Sequence, residues 1–190
     1  GGAEMLFTPE MSGLLDRDRA RAAAHAAGVP VQQGSDGPVS LDEAAAFLAA
    51  RGDGGTMLVK AVAGGGGRGI LAVRDPAELA DAYDRCRALA ASTFGSPDVY
   101  VERYLPQARH IEVQIAADDA GSVTHLWERD CSIQRRHQKL LEVAPSPLLP
   151  AAIRDELIAA AITLARASGY RNLGTVEFLV DAAFPRDGAY

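Results

Sequence analysis

The middle of the chain places four consecutive glycines between two apolar runs. Residues 57–63 precede the loop at 64–69, and residues 70–73 follow it. This pattern predicts a β-hairpin whose tip is almost bare backbone. Four glycines add no packing and cost conformational entropy, so the close approach of several backbone N–H groups to an anion is one explanation for them. A flexible hairpin tip without a ligand is the alternative.

Phosphate is the anion that the neighbouring cations favour. Lys60 stands at the end of the first apolar run, and Arg68 lies within the loop itself. An ammonium and a guanidinium there would both attract a polyphosphate. The loop is not a Walker A loop, because no Gly-Lys-Ser/Thr follows it. It is not a dinucleotide fingerprint either, because a strand rather than a helix is predicted after it.

Composition excludes several classes of protein. The 190 residues carry a net charge of −6, which provides no overall positive field for nucleic acid or anionic lipid. No apolar run approaches the ~20 residues of a membrane-spanning helix. Two cysteines, Cys86 and Cys131, are too few for a disulfide framework, which favours a cytoplasmic location.

Helix and strand signals alternate along the chain and predict the α+β class. Helices are predicted at 14–27, from the capping box Ser40–Glu43 to near Gly52, from Asp75 onward, and at 150–168. Strands are predicted at 99–105, 111–115, 122–127 and 174–180, as an antiparallel sheet. The helix after Asp75 has a predicted apolar face made of Leu79, Ala82, Tyr83, Cys86, Leu89 and Ala90.

The densest polar stretch, residues 128–142, has two interpretations. Charge runs are usually solvated, which favours an exposed loop. Against this, Gln134, His137 and Lys139 are the kinds of donor that orient a phosphoryl or carboxyl group. Cys131 is interpreted as a buried or loop thiol rather than a nucleophile, because the sequence shows no partner that would stabilise a thiolate.

Two carboxylates occupy unexpected positions in predicted strands. Glu102 ends one predicted strand, and Glu177 lies within an apolar one. A buried carboxylate is costly without a cation, so Mg²⁺ is one explanation for Glu177. A salt bridge and a solvent-facing strand position are the alternatives. His110 opens a strand, and a lone histidine of this kind is more often structural than functional.

Together these segments resemble the ATP-grasp region of biotin carboxylase, the ATP-dependent component of acyl-CoA, pyruvate and urea carboxylases. The resemblance covers nearly all of the chain, from about Asp16 to Leu179, and its most specific part runs from Arg129 through Lys139 to Pro145. The other segments that carry it, in order, are 27–30, 34–38, 59–69, 102–105, 109–114 and 174–178.

The resemblance implies an ATP-grasp fold and a set of binding residues. Residues 1–30 would form an N-terminal segment with a linking helix, residues 31–104 the mobile lid subdomain, and residues 105–190 the start of the larger subdomain. Catalytic roles fall on Lys139 and His137, and Glu177 matches the first metal-binding carboxylate. The implied nucleotide-binding residues are Arg17, Lys60, Gly64, Gly65, Gly66, Gly67, Arg68, Gly69, Glu102, Leu105, His110 and Gln134.

The activity implied is the carboxylation of biotin with MgATP (or MnATP) and bicarbonate, through carboxyphosphate. The partners implied are a biotin carboxyl carrier protein or domain and a carboxyltransferase, within a homo-oligomer and with no nucleic acid or membrane. The family's N-terminal nucleotide-fold domain and the region that would follow Tyr190 are expected to be absent, so this chain alone is expected to be inactive. The acceptor finally carboxylated cannot be deduced from these residues.

Two residues depart from the family's usual pattern. Arg17 stands where lysine is usual, and Val143 replaces the second of two usual glutamates. They favour one alternative, a nucleotide-binding module without catalysis. A second alternative is another ATP-grasp carboxylate–amine ligase of the carbamoyl-phosphate synthetase kind.

Overall fold

The computed structural model describes residues 5–11, 17–50, 56–63, 68–135 and 138–181. They divide into two compact units, one built on Gln32–Tyr104 and the other on the segments before Gln32 and from Leu105 onward. Both units combine helices with antiparallel sheet, so the predicted α+β class is confirmed. Among the helices of the described ranges, none combines the length and apolar character that a membrane crossing requires.

The first unit, residues 32–104, packs two helices on a three-stranded sheet. Its elements are α2 (Leu41–Ala50), β2 (Met57–Ala61), β3 (Ile70–Val73), a 3-10 turn (Pro76–Glu78), α3 (Leu79–Phe94) and β4 (Val99–Arg103), with the strands in the order β3-β2-β4. Successive side chains of a strand point to opposite faces of the sheet. Met57, Val59 and Val101 therefore face the helices and form the core with residues of α2 and α3. The opposite face carries Lys60, Tyr100 and Glu102.

Local sequence signals in this unit are reproduced as hydrogen bonds. The Ser40 backbone N–H donates to Glu43 Oε2 at 2.7 Å, and the Glu43 N–H donates to Ser40 Oγ at 3.3 Å, which confirms the capping box. Asp75 Oδ1 accepts from the Ala77 N–H at 2.9 Å. The predicted apolar face of α3 is buried except for Leu89, which is 42% exposed because it lies at the solvent border of the helix.

The second unit contains a five-stranded sheet with one face covered by helix. Its elements are β1 (Met5–Met11), α1 (Arg17–Ala26), β5 (Ala108–Ala117), β6 (Val123–Arg135), β7 (Gln138–Val143), α4 (Ala151–Ala167) and β8 (Asn172–Asp181), with the strands in the order β1-β8-β5-β6-β7. The inward residues of β5 and β8, including Ile111, Val113 and Phe178, pack on Leu157 and Leu164 of α4. The helix-free face of the sheet is polar.

The stretch 128–142 is not the exposed loop that its charges favour. Its described residues lie in β6, which extends to Arg135, and in β7, so the loop interpretation was wrong. Glu128, Asp130 and Cys131 are buried in this stretch, whereas most of β7 is exposed. Strand β1 also lies outside the predicted elements.

A buried ion pair joins β6 to α4. Glu128 is fully buried, and its Oε1 accepts from Arg154 Nε at 2.8 Å and from the Ser146 N–H at 3.0 Å. Arg154 Nη2 also donates to the Ser146 carbonyl at 3.2 Å. The segment between β7 and α4, which contains a cis Ala144–Pro145 peptide, is therefore held by a carboxylate and a guanidinium together.

A close contact at Gly174 supports a stability prediction. A Cβ atom there would lie 1.9 Å from Tyr170 Oη, which donates to the Leu173 carbonyl at 3.0 Å. We expect Gly174→Ala to lower the free energy of unfolding by about 1–3 kcal/mol, because Tyr170 or strand β8 must move. Urea unfolding followed by circular dichroism measures this effect.

Gly37→Ala is the matched control, since no atom lies within 4 Å of the corresponding Cβ position. Equal urea midpoints for the two variants would show that the close contact at Gly174 does not determine which side chains strand β8 can accommodate there.

Candidate functional site

The glycine loop is framed by the ends of β2 and β3. Lys60 pairs with Ile70 in the antiparallel register, and the Ala61 N–H donates to the Gly69 carbonyl at 2.8 Å, which confirms the predicted hairpin. Gly69 has a φ of +73°, and a Cβ there would lie 2.8 Å from Ala61 Cβ, so glycine is required at this end of the loop. Arg68 is exposed, while Gly64, Gly65, Gly66 and Gly67 lie outside the described residues.

The base of the hairpin rests on Cys86 of α3. The thiol contacts the carbonyls of Gly69 at 3.4 Å and Val59 at 3.5 Å, so it faces both strands. Burial raises the pKa of Cys86 to about 11, which keeps the group a neutral thiol at physiological pH. This residue is a structural support, as its predicted place on the apolar face implied.

Lys60 and Glu102 form an ion pair on the helix-free face of the small sheet. Lys60 Nζ lies 2.5 Å from Glu102 Oε2, and the Glu102 side chain is fully buried. Lys60 is opposite Tyr100 in the register and lies 5.9 Å from the centroid of its ring. The structure thus brings together two of the implied nucleotide-binding residues.

A second polar cluster lies on the helix-free face of the five-stranded sheet. Glu112 of β5 is directly opposite Glu177 of β8, and Lys139 of β7 contacts both carboxylates. The distance from Lys139 Nζ to Glu177 Oε1 is 2.6 Å. The expectation that Glu177 needs a cation partner is met by this salt bridge.

Arg129 of β6 extends the cluster. It contacts Glu112 Oε1 through one Nη atom and lies 2.8 Å from Glu142 Oε2 through the other. Carboxylates and cations therefore alternate within this cluster. The order of contacts is Glu177 (β8), Lys139 (β7), Glu112 (β5), Arg129 (β6) and Glu142 (β7). Such alternation satisfies each buried charge with an opposite one.

The surroundings of this cluster shift the pKa values of Lys139 and Cys131. Burial alone would lower the pKa of Lys139, but hydrogen bonds from its ammonium to Glu112 and Glu177 outweigh burial and raise it. Lys139 is therefore a fixed cation at neutral pH. Burial, with the nearby Glu112 charge, raises the pKa of Cys131 to about 12, which supports a buried thiol and opposes a nucleophile.

One group of side chains in the cluster has the spacing of metal ligands. Glu112, Cys131 and Glu142 place ligand atoms within 4.8 Å of one another, but Cys131 is a neutral thiol and both carboxylates contact Arg129. Glu177 lies outside this group, and its carboxylate accepts from the Lys139 ammonium. Oxygen ligands of this kind suit Mg²⁺ and Mn²⁺.

The other candidate residues belong to several different elements of the chain. The His110 N–H donates to Ser132 Oγ at 3.0 Å, Gln134 Nε2 donates to the Cys131 carbonyl at 2.9 Å, and the Leu105 carbonyl accepts from the Ala108 N–H at 3.4 Å. Arg17 begins α1, but its side chain lies outside the described part of the chain, as does the whole of His137.

Sequence reasoning missed Glu112, Arg129 and Glu142 as members of the site. Glu112 did carry a signal, since it is a carboxylate between Ile111 and Val113 in an alternating strand. A charge at that position marks the polar face of a sheet that is packed on its other side. Its partners belong to other strands, so they could not be named without the register.

Comparisons with known proteins add the following likenesses. The family described as "Carbamoyl-phosphate synthase L chain, ATP binding domain" matches residues 16–186. Pyruvate carboxylase from Aspergillus niger is 49% identical over 176 residues, which is 92% of this chain and 15% of that protein. Pyruvate carboxylase from Bacillus subtilis (strain 168) is 48% identical over 165 residues, or 87% of this chain and 14% of that protein.

Solved structures are similar over most of the chain. A biotin carboxylase from Campylobacter jejuni, in a β,γ-ATP complex, has a TM-score of 0.82 and 43% identity over 88% of this chain and 38% of that chain. The biotin carboxylase domain of Hydrogenobacter thermophilus 2-oxoglutarate carboxylase, with MgADP, ADP and bicarbonate, has a TM-score of 0.82 and 42% identity over 88% of this chain and 37% of that one. The chain thus spans under two fifths of these structures and about a seventh of the two pyruvate carboxylases.

Proposed function

The chain belongs to the carbamoyl-phosphate synthase L chain ATP-binding domain family, and from that membership we propose that it is the ATP-binding part of a biotin carboxylase. The full-length polypeptide would be an ATP-dependent ligase that carboxylates biotin on a carrier, using bicarbonate. The observation that carries this proposal is the Lys139 ammonium held by Glu112 and Glu177 on one polar sheet face. The identity of 49% to a pyruvate carboxylase supports it.

The proposed reaction explains why cations are concentrated here. Bicarbonate is a poor electrophile, so ATP must convert it to carboxyphosphate, whose breakdown presents CO₂ to the ureido nitrogen of biotin. Two anions must first be brought together, which fixed positive charges favour. Lys139 would hold the reacting phosphoryl and bicarbonate oxygens, because its charge persists at neutral pH. We propose the same end of the site for His137.

Nucleotide binding is proposed for residues of both units, each in its own role. Arg17, Lys60 and the loop with Arg68 and Gly69 would meet phosphate oxygens. Glu102 and the Leu105 backbone would face adenine, and His110 and Gln134 would lie near ribose. In this proposal residues 31–104 act as the lid subdomain, residues 105–190 belong to the larger one, and residues 1–30 precede them. The loop glycines that would approach phosphate are Gly64, Gly65, Gly66 and Gly67.

Glu177 is the residue that we propose as a metal ligand. Its carboxylate accepts from a cation on the polar face, which fits Mg²⁺ or Mn²⁺. When bound, the metal would neutralise charge on the polyphosphate. Lys139 would complement it with fixed positive charge.

Partners follow from the proposed reaction. A biotin carboxyl carrier protein or domain would bring biotin to the site, and a carboxyltransferase component would use the carboxylated product. We also propose a homo-oligomer in the cytoplasm, without nucleic acid or membrane. Cys86 and Cys131, both reduced and buried, are compatible with that compartment.

The function is tested by ADP release from MgATP by the full-length polypeptide, with bicarbonate and free biotin added separately and together. We expect release that requires bicarbonate and increases with biotin. Labelled bicarbonate should appear in carboxybiotin in proportion to the ADP formed. An equal rate of ADP release with and without bicarbonate and biotin would contradict the proposal.

The same assay separates the main alternative. The matching family is described by carbamoyl-phosphate synthase, so a carboxylate–amine ligase is the second candidate. That enzyme would couple ADP release to an amine or ammonia and would ignore biotin. ATP binding without any ADP release would instead favour a non-catalytic module, as Arg17 and Val143 suggest.

A further inference from the structure

Glu112 and Glu177 form a like-charged pair directly opposite each other on adjacent antiparallel strands. Like charges in this arrangement destabilise a sheet unless a cation lies between them. Lys139 is that cation, since it reaches Glu177 Oε1 at 2.6 Å and also contacts Glu112 Oε2. One ammonium thus compensates two carboxylates that come from two different strands.

The two ends of this bridge differ in their surroundings. The Glu112 side chain is 3% exposed and contacts a second cation, Arg129, through its other oxygen. The Glu177 side chain is 12% exposed and that of Lys139 27%. Solvent therefore reaches the Lys139–Glu177 contact more easily than Glu112, which is held from two sides.

A divalent ion on Glu177 would stand close to the Lys139 ammonium. Two cations at that separation repel strongly in a site of reduced dielectric. The ammonium contacts Glu177 Oε1, so a metal ion that binds through both oxygens of this carboxylate must displace it. Metal and ammonium are therefore competitors for one carboxylate.

We propose that Lys139 holds Glu177 in place of the metal ion until the metal binds, and that Glu112 then keeps the displaced ammonium beside the site. This inference rests on the proposed metal role of Glu177. It makes Glu112 a positioning residue, whose second anchor, Arg129, keeps it in place during the exchange. Metal binding and the delivery of Lys139 to the reacting groups become a single event.

Mn²⁺ binding to the full-length polypeptide without nucleotide tests the competition, with unbound Mn²⁺ measured by electron paramagnetic resonance. Lys139→Met should lower the Kd for Mn²⁺ about tenfold or more, because the competing charge is gone. The matched control is Arg171→Met, which removes an exposed cation that pairs with Asp119 and should change the Kd by less than about threefold. The double variant Lys139→Met/Glu177→Gln should not show this tighter Mn²⁺ binding, because the carboxylate that holds the ion is then absent.

An unchanged Kd in Lys139→Met, or an equal gain in both single variants, would overturn the proposal. Since Lys139→Met leaves two opposed carboxylates, its folding is checked by circular dichroism. A crystal of the unaltered chain soaked in millimolar Mn²⁺ gives a second measurement. We expect Mn²⁺ on Glu177 with Lys139 beyond hydrogen-bonding distance of that residue and still on Glu112.

Mn²⁺ on Glu177 with the Lys139 contact intact would overturn the competition, as would its absence from Glu177 in both the unaltered chain and Lys139→Met. Mn²⁺ in the variant alone would support it. These measurements use neither ATP nor biotin. A protein that fails the carboxylation assay can therefore still show the exchange, and a carboxylase can still lack it.

Discussion

Replacing Lys139 by methionine in the full-length polypeptide is expected to lower kcat for bicarbonate-dependent ADP release about 10²–10³-fold, the usual loss when one preorganised charge contact is removed. The KM for ATP should change by less than about threefold, because the proposed contacts of Lys139 are to the reacting groups and not to the remainder of the nucleotide. Steady-state kinetics with ATP varied at saturating bicarbonate separate the two parameters.

Lys60→Met is the matched comparison, because Lys60 is likewise a lysine paired with a buried carboxylate. Its loss should raise the KM for ATP about tenfold or more, as expected for a lost charge-assisted contact to phosphate. Thermal melting of both variants distinguishes these effects from unfolding, since each leaves a carboxylate without its lysine. Equal changes in kcat and KM in both variants would contradict the separate roles.

Arg154→Met is expected to lower the free energy of unfolding by about 3–5 kcal/mol, because it leaves a buried carboxylate without its cation. Glu128 is fully buried beneath α4, and its Oε1 accepts from Arg154 Nε at 2.8 Å. Methionine keeps most of the length of the arginine stem, so the lost charge dominates the effect. Urea unfolding of the chain, followed by circular dichroism, gives the midpoint and slope.

Arg171→Met is the control for this prediction. Arg171 pairs with Asp119 at 3.4 Å, but both side chains are mostly exposed, so its loss should leave the urea midpoint almost unchanged. The double variant Glu128→Gln/Arg154→Met should recover part of the stability, since the buried charge is then removed as well. Equal midpoints for Arg154→Met and Arg171→Met would show that the buried pair contributes little.

The features that could be predicted from the sequence depend on neighbouring residues. The Ser40–Glu43 capping box, the Asp75 cap and the hairpin around the glycine loop need only a few positions each. Glu177 was singled out because a carboxylate in an apolar strand conflicts with its surroundings, and the structure does supply a cation. Local pattern and burial cost were sufficient in these cases.

What could not be predicted depends on long-range register. Glu112 faces Glu177 because β5 pairs with β8, and Lys139 arrives from β7, two strands away from β5 across β6. The β5–β6 pairing also shifts at a bulge between Val113 and Ile115, near Trp127 with its φ of +66°. Charge density alone favoured a loop at 128–142, because no local signal reports that its two halves form strands.

The two-sided alternation of β5 also bears on how this part of the chain tolerates changes in length over evolution. Deleting one residue within the strand would rotate Glu112 into the packed side and Ile111 toward the charged side, so a single-codon loss would exchange the two environments at once. Substitutions can alter either side separately, whereas gains and losses of codons cannot. Insertions and deletions should therefore accumulate in the turn at 118–122. There the Asp118 N–H donates to the Ser122 carbonyl at 3.0 Å, and no side chain enters the core.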